Sequence, residues 1–305
     1  MNVLIIGFGS IGKRHFEILQ SMQSVSSIEV VTKQNIKNIN TYSSIDNIDD
    51  LAIYDYFIIS SETLKHYEQL KYLTQRVSNK SILVEKPLYD KECTTIERNK
   101  NTIFTAYNLR FHPILSALKE ILHKEEIYYA NIVCGQYLPT WRPDQDYTKS
   151  YSADKNLGGG VLRDLSHELD YASWLFGNIL KVDSISTKIS NLEITSDDIF
   201  TAIMTTDKKT ILNISLDYIS KTPIRRLIIH TKEHTIEANL IENTLLKYDV
   251  NGKKITLIDK LDLHRNHSYQ EMHKAIIKKN TKTLSSFEDG LKIVSLISSI
   301  QFMEV

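Results

Sequence analysis

The feature that most limits what this chain can fold into is a run of four apolar residues, Val3 to Ile6, that ends in Gly7-Phe8-Gly9-Ser10-Ile11-Gly12. A short continuous apolar run closed by turn residues reads as a strand buried on both faces. After Ser10 the apolar positions change to helical spacing, at Ile11, Phe16, Ile18, Leu19 and Met22. In a turn between a buried strand and a helix, each of these glycines has a use. Gly7 permits the tight turn, Gly9 lets backbone approach a pyrophosphate, and Gly12 lets the helix pack closely on the strand. The helix start adds unpaired N–H groups and a partial positive charge for phosphates. The pattern predicts a dinucleotide cradle built from Gly7, Phe8, Gly9, Ser10, Ile11 and Gly12.

The same reading continues along the chain. Strands are predicted at 28–31, 56–59, 82–84 and 103–106, with a helix over about 64–73. Strands alternating with helices give a doubly wound parallel sheet over roughly the first 110 residues. A helix is then expected at 113–123, a strand at 128–133, a loop at 136–156 and one helix from 160 to 177. After that the text changes to strands at 181–189, 200–205, 210–218, 225–231, 235–239, 244–249 and 253–258, with Asn251-Gly252 as a hairpin signal. Helices at 268–278 and 286–303 close the chain. The expected fold class is α/β: an N-terminal Rossmann dinucleotide-binding domain at 1–112, and a C-terminal α+β domain at 113–305 with a large antiparallel or mixed sheet. The last helix is a candidate to pack back on the first domain.

Composition excludes several classes. A length of 305 residues suits two domains, and 42% hydrophobic with 24% charged residues is ordinary for a globular protein. Lys plus Arg equals Asp plus Glu, at 37 each, so no global field draws the chain to nucleic acid or an anionic membrane. The N-terminal apolar run is too short for a signal peptide or a membrane span, and no segment approaches ~20 apolar residues. A cytoplasmic location is therefore expected. Cys93 and Cys134 match no metal-ligand spacing and read as free thiols; no metal is expected.

Three further places carry chemistry. The second strand ends Val31-Thr32-Lys33, without the carboxylate that binds a ribose 2′-hydroxyl and repels a 2′-phosphate. Thr32 and Lys33 suit a 2′-phosphate, which favours NADP over NAD. Glu85-Lys86-Pro87 follows a buried strand at the carboxyl edge of the sheet, where ligands bind. There the Lys86 ammonium can hold a substrate oxygen. Gly158-Gly159-Gly160 leads into Asp164, His167 and Asp170, each three apart, which one helix would place on one face. His167 suits general base work on an alcohol. Asp164 suits orienting it or binding a substrate hydroxyl.

In this order, the glycine motif, Glu85-Lys86-Pro87 and the triple glycine before Asp164 and His167 resemble the glucose–fructose oxidoreductase / inositol dehydrogenase (Gfo/Idh/MocA) family. Ser286 to Leu291 resembles the start of that family's last helix. The resemblance implies a Rossmann domain, an open mixed sheet through which dimers or tetramers form, and a catalytic set of Lys86, Asp164 and His167. It also implies cofactor contacts from Ser60, Ser61, His66, Glu85, Lys86 and Asn108. Tyr107-Asn108-Leu109-Arg110-Phe111 resembles the family's junction beside nicotinamide and substrate, so Tyr107 and Arg110 join the substrate set with Lys86, Asp164 and His167.

The chain departs from the family pattern in three places. The usual aspartate–histidine gap is four rather than three, which leaves Glu168 as the alternative to His167. Ser61-Glu62-Thr63 replaces a Thr-Pro-Asn loop, and the acidic ribose ligand is absent.

The loop at 137–151 adds Trp141, Arg142 and Lys149 as substrate contacts: aromatics stack on a sugar ring, and cations meet carboxylate or phosphate. The expected activity is NAD(P)-dependent interconversion of a hydroxyl and a ketone on a sugar, sugar phosphate or nucleotide sugar, in the manner of surface-glycan sugar synthesis. Two readings compete with it: a non-catalytic dinucleotide-binding sensor or scaffold, and a reductase of a non-sugar such as a linear tetrapyrrole or imine.

Overall fold

The structure is a computed structural model that describes residues 1–300 and Phe302. In chain order the first elements are β1 (Asn2–Ile6), α1 (Ser10–Gln20), β2 (Ser27–Val31), β3 (Thr41–Tyr42), β4 (Tyr56–Ile59), α2 (His66–Arg76), β5 (Ser81–Val84) and β6 (Thr102–Thr105). Next come α3 (Pro113–Leu122), β7 (Ile127–Gly135), the single turn α4 (Leu138–Trp141), α5 (Val161–Asp164) and α6 (His167–Phe176). Seven strands follow: β8 (Ile179–Thr187), β9 (Ile199–Thr206), β10 (Ile211–Asp217), β11 (Ile224–Thr231), β12 (Thr235–Asn239), β13 (Thr244–Tyr248) and β14 (Lys254–Ile258). The chain ends with α7 (His267–Ile277), β15 (Ser285–Ser286) and α8 (Phe287–Ser299).

Two compact units divide this chain. The first contains Met1–Phe111 and Arg265–Ser295; the second contains His112–His264 with the last residues. In the first unit the strand order is β15-β6-β5-β4-β1-β2-β3, parallel except for β15 against β6. Alternate residues of each buried strand feed two cores, as the period of two requires. Leu4, Ile6, Phe57, Ile59, Ile82 and Val84 pack with Leu70 and Leu73 of α2 and with Phe287 and Val294 of α8. Val3, Ile5, Tyr56, Ile58 and Leu83 pack on the other face with Leu19 of α1 and with Met272 and Ile276 of α7. Helices α7 and α8, more than 260 residues along the sequence, thus cover opposite faces of the N-terminal sheet. The order reverses between β1 and β4, so their carboxyl ends, Gly7 and Ser60, form the switch point where such sheets bind ligands.

The second unit is built on an eight-stranded sheet, ordered β14-β13-β12-β11-β7-β10-β9-β8. β7 and β10 run parallel and every other neighbouring pair is antiparallel. One face buries Ala130, Ile132, Phe200, Met204, Leu212, Ile214, Leu227 and Ile229. The other leaves Ile203, Ile211, Ile228 and Ile185 exposed. The helix expected at 160–177 is two helices, because the backbone leaves helical geometry at Leu165. Side chains on either side of that break are held by different partners: Asp164 by hydroxyls, Glu168 by Arg225. Asp164 and His167 therefore do not lie on one continuous helix, contrary to expectation. Among the described residues, no helix is long and apolar enough to cross a membrane.

Candidate functional site

In the first unit the glycine turn has the shape a pyrophosphate needs. Gly7 lies at φ +98°, and a Cβ there would stand 2.6 Å from the Ser61 nitrogen. A Cβ on Gly12 would stand 2.3 Å from the Gly7 carbonyl oxygen and 2.9 Å from Ser60 Oγ, so helix and strand touch through that glycine. A Cβ on Gly9 would meet no protein atom within 4 Å. Gly7 and Gly12 are thus glycines for the fold, whereas Gly9 keeps open the space in front of α1. That helix begins at Gly9 without a side-chain cap and without an acidic residue in its first turn. Its N–H groups and dipole face the opening unneutralised, which fits a diphosphate. Ser10 is exposed and Ile11 half-buried at the same end, while Phe8 is buried and packs edge-on against Phe16.

At the tip of β2, the Thr32 hydroxyl accepts from the Gln34 N–H at 3.1 Å, and Gln34 Nε2 donates to the Phe8 carbonyl at 3.1 Å. Lys33 is exposed. No carboxylate stands at this tip, where residues 32–34 read Thr-Lys-Gln.

At the other edge of the switch point, Ser60 Oγ donates to the Gly7 carbonyl at 3.0 Å and so fixes the cradle from behind. Ser61 Oγ donates to Gln69 Oε1 at 2.6 Å. His66, expected as a cofactor contact, is 1% exposed. Its Nδ1 meets the carbonyls of Pro87 and Leu88 at 3.1 and 3.3 Å, and its Nε2 meets that of Ser61 at 3.2 Å. Burial holds this imidazole below its usual range. His66 therefore ties the Ser61 loop to the segment after β5, where the Lys86–Pro87 peptide is cis. Lys86 is half-buried, and its backbone N–H donates to Glu85 Oε2 at 3.1 Å.

Tyr107 and Asn108 are buried at the end of β6. Arg110, expected as a substrate contact, is committed within its own unit. Its Nη1 donates to Asp289 Oδ2 at 3.0 Å and to the Leu284 carbonyl at 3.3 Å, with the side chain 5% exposed. It anchors the returning C-terminal segment.

In the second unit Asp164 is the hub. It accepts from Ser152 Oγ at 2.6 Å, from Tyr218 Oη at 2.6 Å, and from the Tyr151 hydroxyl. Burial beside this carboxylate pushes both phenols well above their usual range, so they stay donors. Gly160 stands at φ +123°, where a Cβ would lie 2.0 Å from Asp197 Oδ1. Asp197 Oδ2 accepts from the Leu162 N–H at 3.0 Å and so caps α5 from across the unit. Burial raises the Asp197 carboxyl to about 6. His167 opens α6 and is half-buried.

Glu168, the alternative to it, is fully buried with Oε1 2.8 Å from Arg225 Nε. A carboxylate paired to a guanidinium is poorly suited to shuttle a proton. In the loop, Trp141 packs edge-on against Tyr218 at 5.7 Å. Arg142 is exposed and 3.5 Å from Gln145 Oε1. Lys149 is 82% exposed, 3.4 Å from Asp146. The sequence reading did not find Tyr218, Ser152 or Asp197. Each lies in a different segment from the histidine, and no spacing rule links them.

A parallel sheet with a diphosphate cradle at its switch point, joined in one chain to an open mixed sheet, defines an α/β dinucleotide-binding oxidoreductase architecture. Residues 1–107 match the family model described as oxidoreductase family, NAD-binding Rossmann fold, and residues 125–301 match its C-terminal alpha/beta domain. The chain belongs to the Gfo/Idh/MocA oxidoreductase family.

An uncharacterized oxidoreductase of Synechocystis sp. is 25% identical over 194 residues, a stretch that spans 58% of this chain and about half, 52%, of that protein. Three solved structures are similar in fold. UDP-N-acetylglucosamine 3-dehydrogenase from Acidithiobacillus ferrooxidans has a TM-score of 0.76 at 17% identity, covering 98% of this chain and 96% of that one. Levoglucosan dehydrogenase in complex with NADH has a TM-score of 0.81 at 17% identity, covering 98% and 95%. An NAD binding oxidoreductase from Klebsiella pneumoniae has a TM-score of 0.82 at 17% identity, covering 98% and 96%.

Proposed function

We propose that this oxidoreductase interconverts a hydroxyl and a ketone on a sugar, sugar phosphate or nucleotide sugar, with Lys86, Asp164 and His167 as its working residues and NADP as the preferred cofactor. The observation that carries the reading is the pairing of assignments around residue 168. Glu168 is held in an ion pair by Arg225, which leaves half-buried His167, at the start of α6, as the candidate proton acceptor in the segment that follows Asp164. In the oxidation direction His167 accepts the proton of the substrate hydroxyl, and Lys86 stabilises the charge that develops on the oxygen. Asp164 holds the Tyr151, Ser152 and Tyr218 hydroxyls in one arrangement. The nicotinamide, when bound, supplies or takes up the hydride. The N–H groups of residues 9–12 would hold the diphosphate of the dinucleotide.

Two observations support the choice of substrate class. One loop carries half-buried Trp141 and the exposed cations Arg142 and Lys149, residue types suited to a sugar bearing phosphate. Two proteins of similar fold are named as sugar-type dehydrogenases. NADP is favoured by the Thr32-Lys33-Gln34 tip. Association into dimers or tetramers through the open sheet face is favoured by the exposed Ile203, Ile211 and Ile228.

The test has two parts. Fluorescence titration compares NADH with NADPH, for wild type and Lys33→Glu. NADPH binding about tenfold tighter, lost in the variant, is expected from one phosphate–lysine contact. Equal or tighter NADH binding removes the NADP preference. A panel of free sugars, sugar phosphates and UDP-sugars is then followed at the reduced-nicotinamide absorbance band. Turnover that disappears in Lys86→Ala and His167→Ala is expected. Full turnover in His167→Ala with none in Glu168→Gln reverses the assignment, and no turnover with any sugar or sugar phosphate favours the sensor reading.

A further inference from the structure

The first unit contains a chain of buried polar groups that the proposed reaction does not use. Tyr56 lies on β4, His273 on α7, His15 on α1 and Glu85 just after β5. Tyr56, His273 and His15 are fully buried, and Glu85 is 5% exposed. Tyr56 Oη lies 2.9 Å from His273 Nδ1, His273 Nε2 lies 2.8 Å from His15 Nδ1, and His15 Nε2 lies 2.9 Å from Glu85 Oε1. The second oxygen of Glu85 accepts the backbone N–H of Lys86 at 3.1 Å. Four elements distant in sequence are thus strung on one line of hydrogen bonds that ends at Lys86.

The direction of the line follows from counting protons. A carboxylate only accepts, so His15 donates from Nε2. A neutral His15 then accepts at Nδ1, His273 donates from Nε2 and accepts at Nδ1, and the Tyr56 hydroxyl donates. Every buried donor and acceptor in the line is satisfied. The reverse polarity needs a second acceptor for the Tyr56 proton, and among the described residues that hydroxyl has no second partner. The surroundings agree. Burial and the neighbouring His15 hold the His273 imidazole well below its usual range, and burial together with Glu85 holds the Tyr56 phenol well above its own. Among the groups facing the line are Tyr269, edge-on to His15 at 5.5 Å, Arg14, whose guanidinium lies 5.5 Å from the Tyr269 ring, and buried His66, which interacts electrostatically with Glu85.

We infer that Tyr56, His273 and His15 are positioning residues, forming a one-way hydrogen-bonded chain that fixes the Glu85 carboxylate and through it the backbone of Lys86. The inference rests on the reading of Lys86 as a working residue. A side chain that must hold a reacting oxygen needs its backbone fixed to a few tenths of an ångström. Here that constraint comes from the interior. The line also reaches α1, whose N-terminus faces the diphosphate space, and α7, which belongs to the returning segment.

Two readouts that need no substrate test this. The first is nitrogen NMR of histidine-labelled protein, with His15→Gln and His273→Gln to assign the signals. Both imidazoles are expected as Nε2–H tautomers, and His273, whose imidazole burial holds well below its usual range, is expected not to titrate between about pH 5.5 and 9. An Nδ1–H tautomer of either ring, or titration of His273 within that range, overturns the chain. The second is the rate at which Lys86 reacts with an amine-specific reagent, read by peptide mass spectrometry against Lys33 and Lys149 in the same sample. Tyr56→Phe, the mildest break, is expected to change the Lys86 rate by about threefold or more with the two reference lysines unmoved. A role limited to stability lowers the melting temperature and leaves that ratio at one, which overturns the positioning claim. Turnover surviving in Lys86→Ala overturns the catalytic reading instead, and both substrate-free readouts remain decisive for the chain.

Discussion

Replacing Arg225 by methionine keeps most of the side-chain volume on β11 and removes the guanidinium that pairs with Glu168. The pair is 2.8 Å apart, with the Glu168 side chain fully buried and that of Arg225 22% exposed. Around it stand the Tyr171 hydroxyl, 3.4 Å from Glu168 Oε1, and the Cys134 thiol, pushed up to about 12 by burial. Neither is a cation. Breaking a buried pair by removing one partner costs about 3–5 kcal/mol, and the partial exposure of Arg225 argues for the lower figure. For a unit of this size each kcal/mol moves the melting temperature by roughly 2–4 °C, so Arg225→Met is expected to melt about 6–12 °C lower. Adding Glu168→Gln removes the stranded charge, and the double variant is expected to recover more than half of that loss. Differential scanning calorimetry of the wild type, both single variants and the double variant closes the cycle. A drop of under about 2 °C for Arg225→Met, or a double variant no better than Arg225→Met, refutes the view that Glu168 is a neutralised structural carboxylate. It would also reopen the question of which residue moves the proton.

The remaining predictions concern the cradle, the cap of α5 and the junction. Gly9→Ala adds a methyl that meets no protein atom, so its melting temperature is expected within about 2 °C of wild type while dinucleotide affinity falls by about tenfold or more. In Gly12→Ala the Cβ would lie 2.3 Å from the Gly7 carbonyl, so stability and binding fall together; equal melting of the two variants contradicts the division of labour. Asp197, raised to about 6, binds its proton more tightly folded than unfolded, so its contribution to stability declines as pH rises from about 4 to 6. Asp197→Asn is expected to gain on wild type by up to about 2–3 kcal/mol between pH 4 and 8 in denaturant titrations, and an unchanged pH slope rules this out. Arg110→Leu is expected to lower stability by about 2 kcal/mol or more through loss of the Asp289 pair, with substrate KM moving less than stability; the opposite pattern makes Arg110 a substrate ligand.

Local pattern carried the strands and the cradle. Val3 to Ile6 is apolar throughout because both faces of β1 are buried, and Phe200, Ala202 and Met204 alternate on β9 because one face is. The break at Leu165 was not legible, because residues 160–177 have a helical pattern throughout, while the partners of Asp164 just before the break, Tyr151 and Tyr218, lie in other segments. Arg110 and His66 read as ligands because the segments that carry them resemble the family's pattern. Only their partners, Asp289 and the carbonyls of Ser61, Pro87 and Leu88, show what they hold.

Short-range rules, the period of two, the period of 3.6 and the conformational freedom of glycine, are enough to place a diphosphate cradle between β1 and α1 and to separate a parallel sheet from an antiparallel one. They act within a dozen residues and are written in consecutive letters. Which buried polar groups share protons depends on contacts between residues as distant as His15 and His273, or Glu168 and Arg225. A hydrogen bond over 3 Å carries no trace of the sequence separation between its ends, so only the folded chain decides that His66 is a tether, that Glu168 is neutralised, and that a line of imidazoles stands behind Lys86.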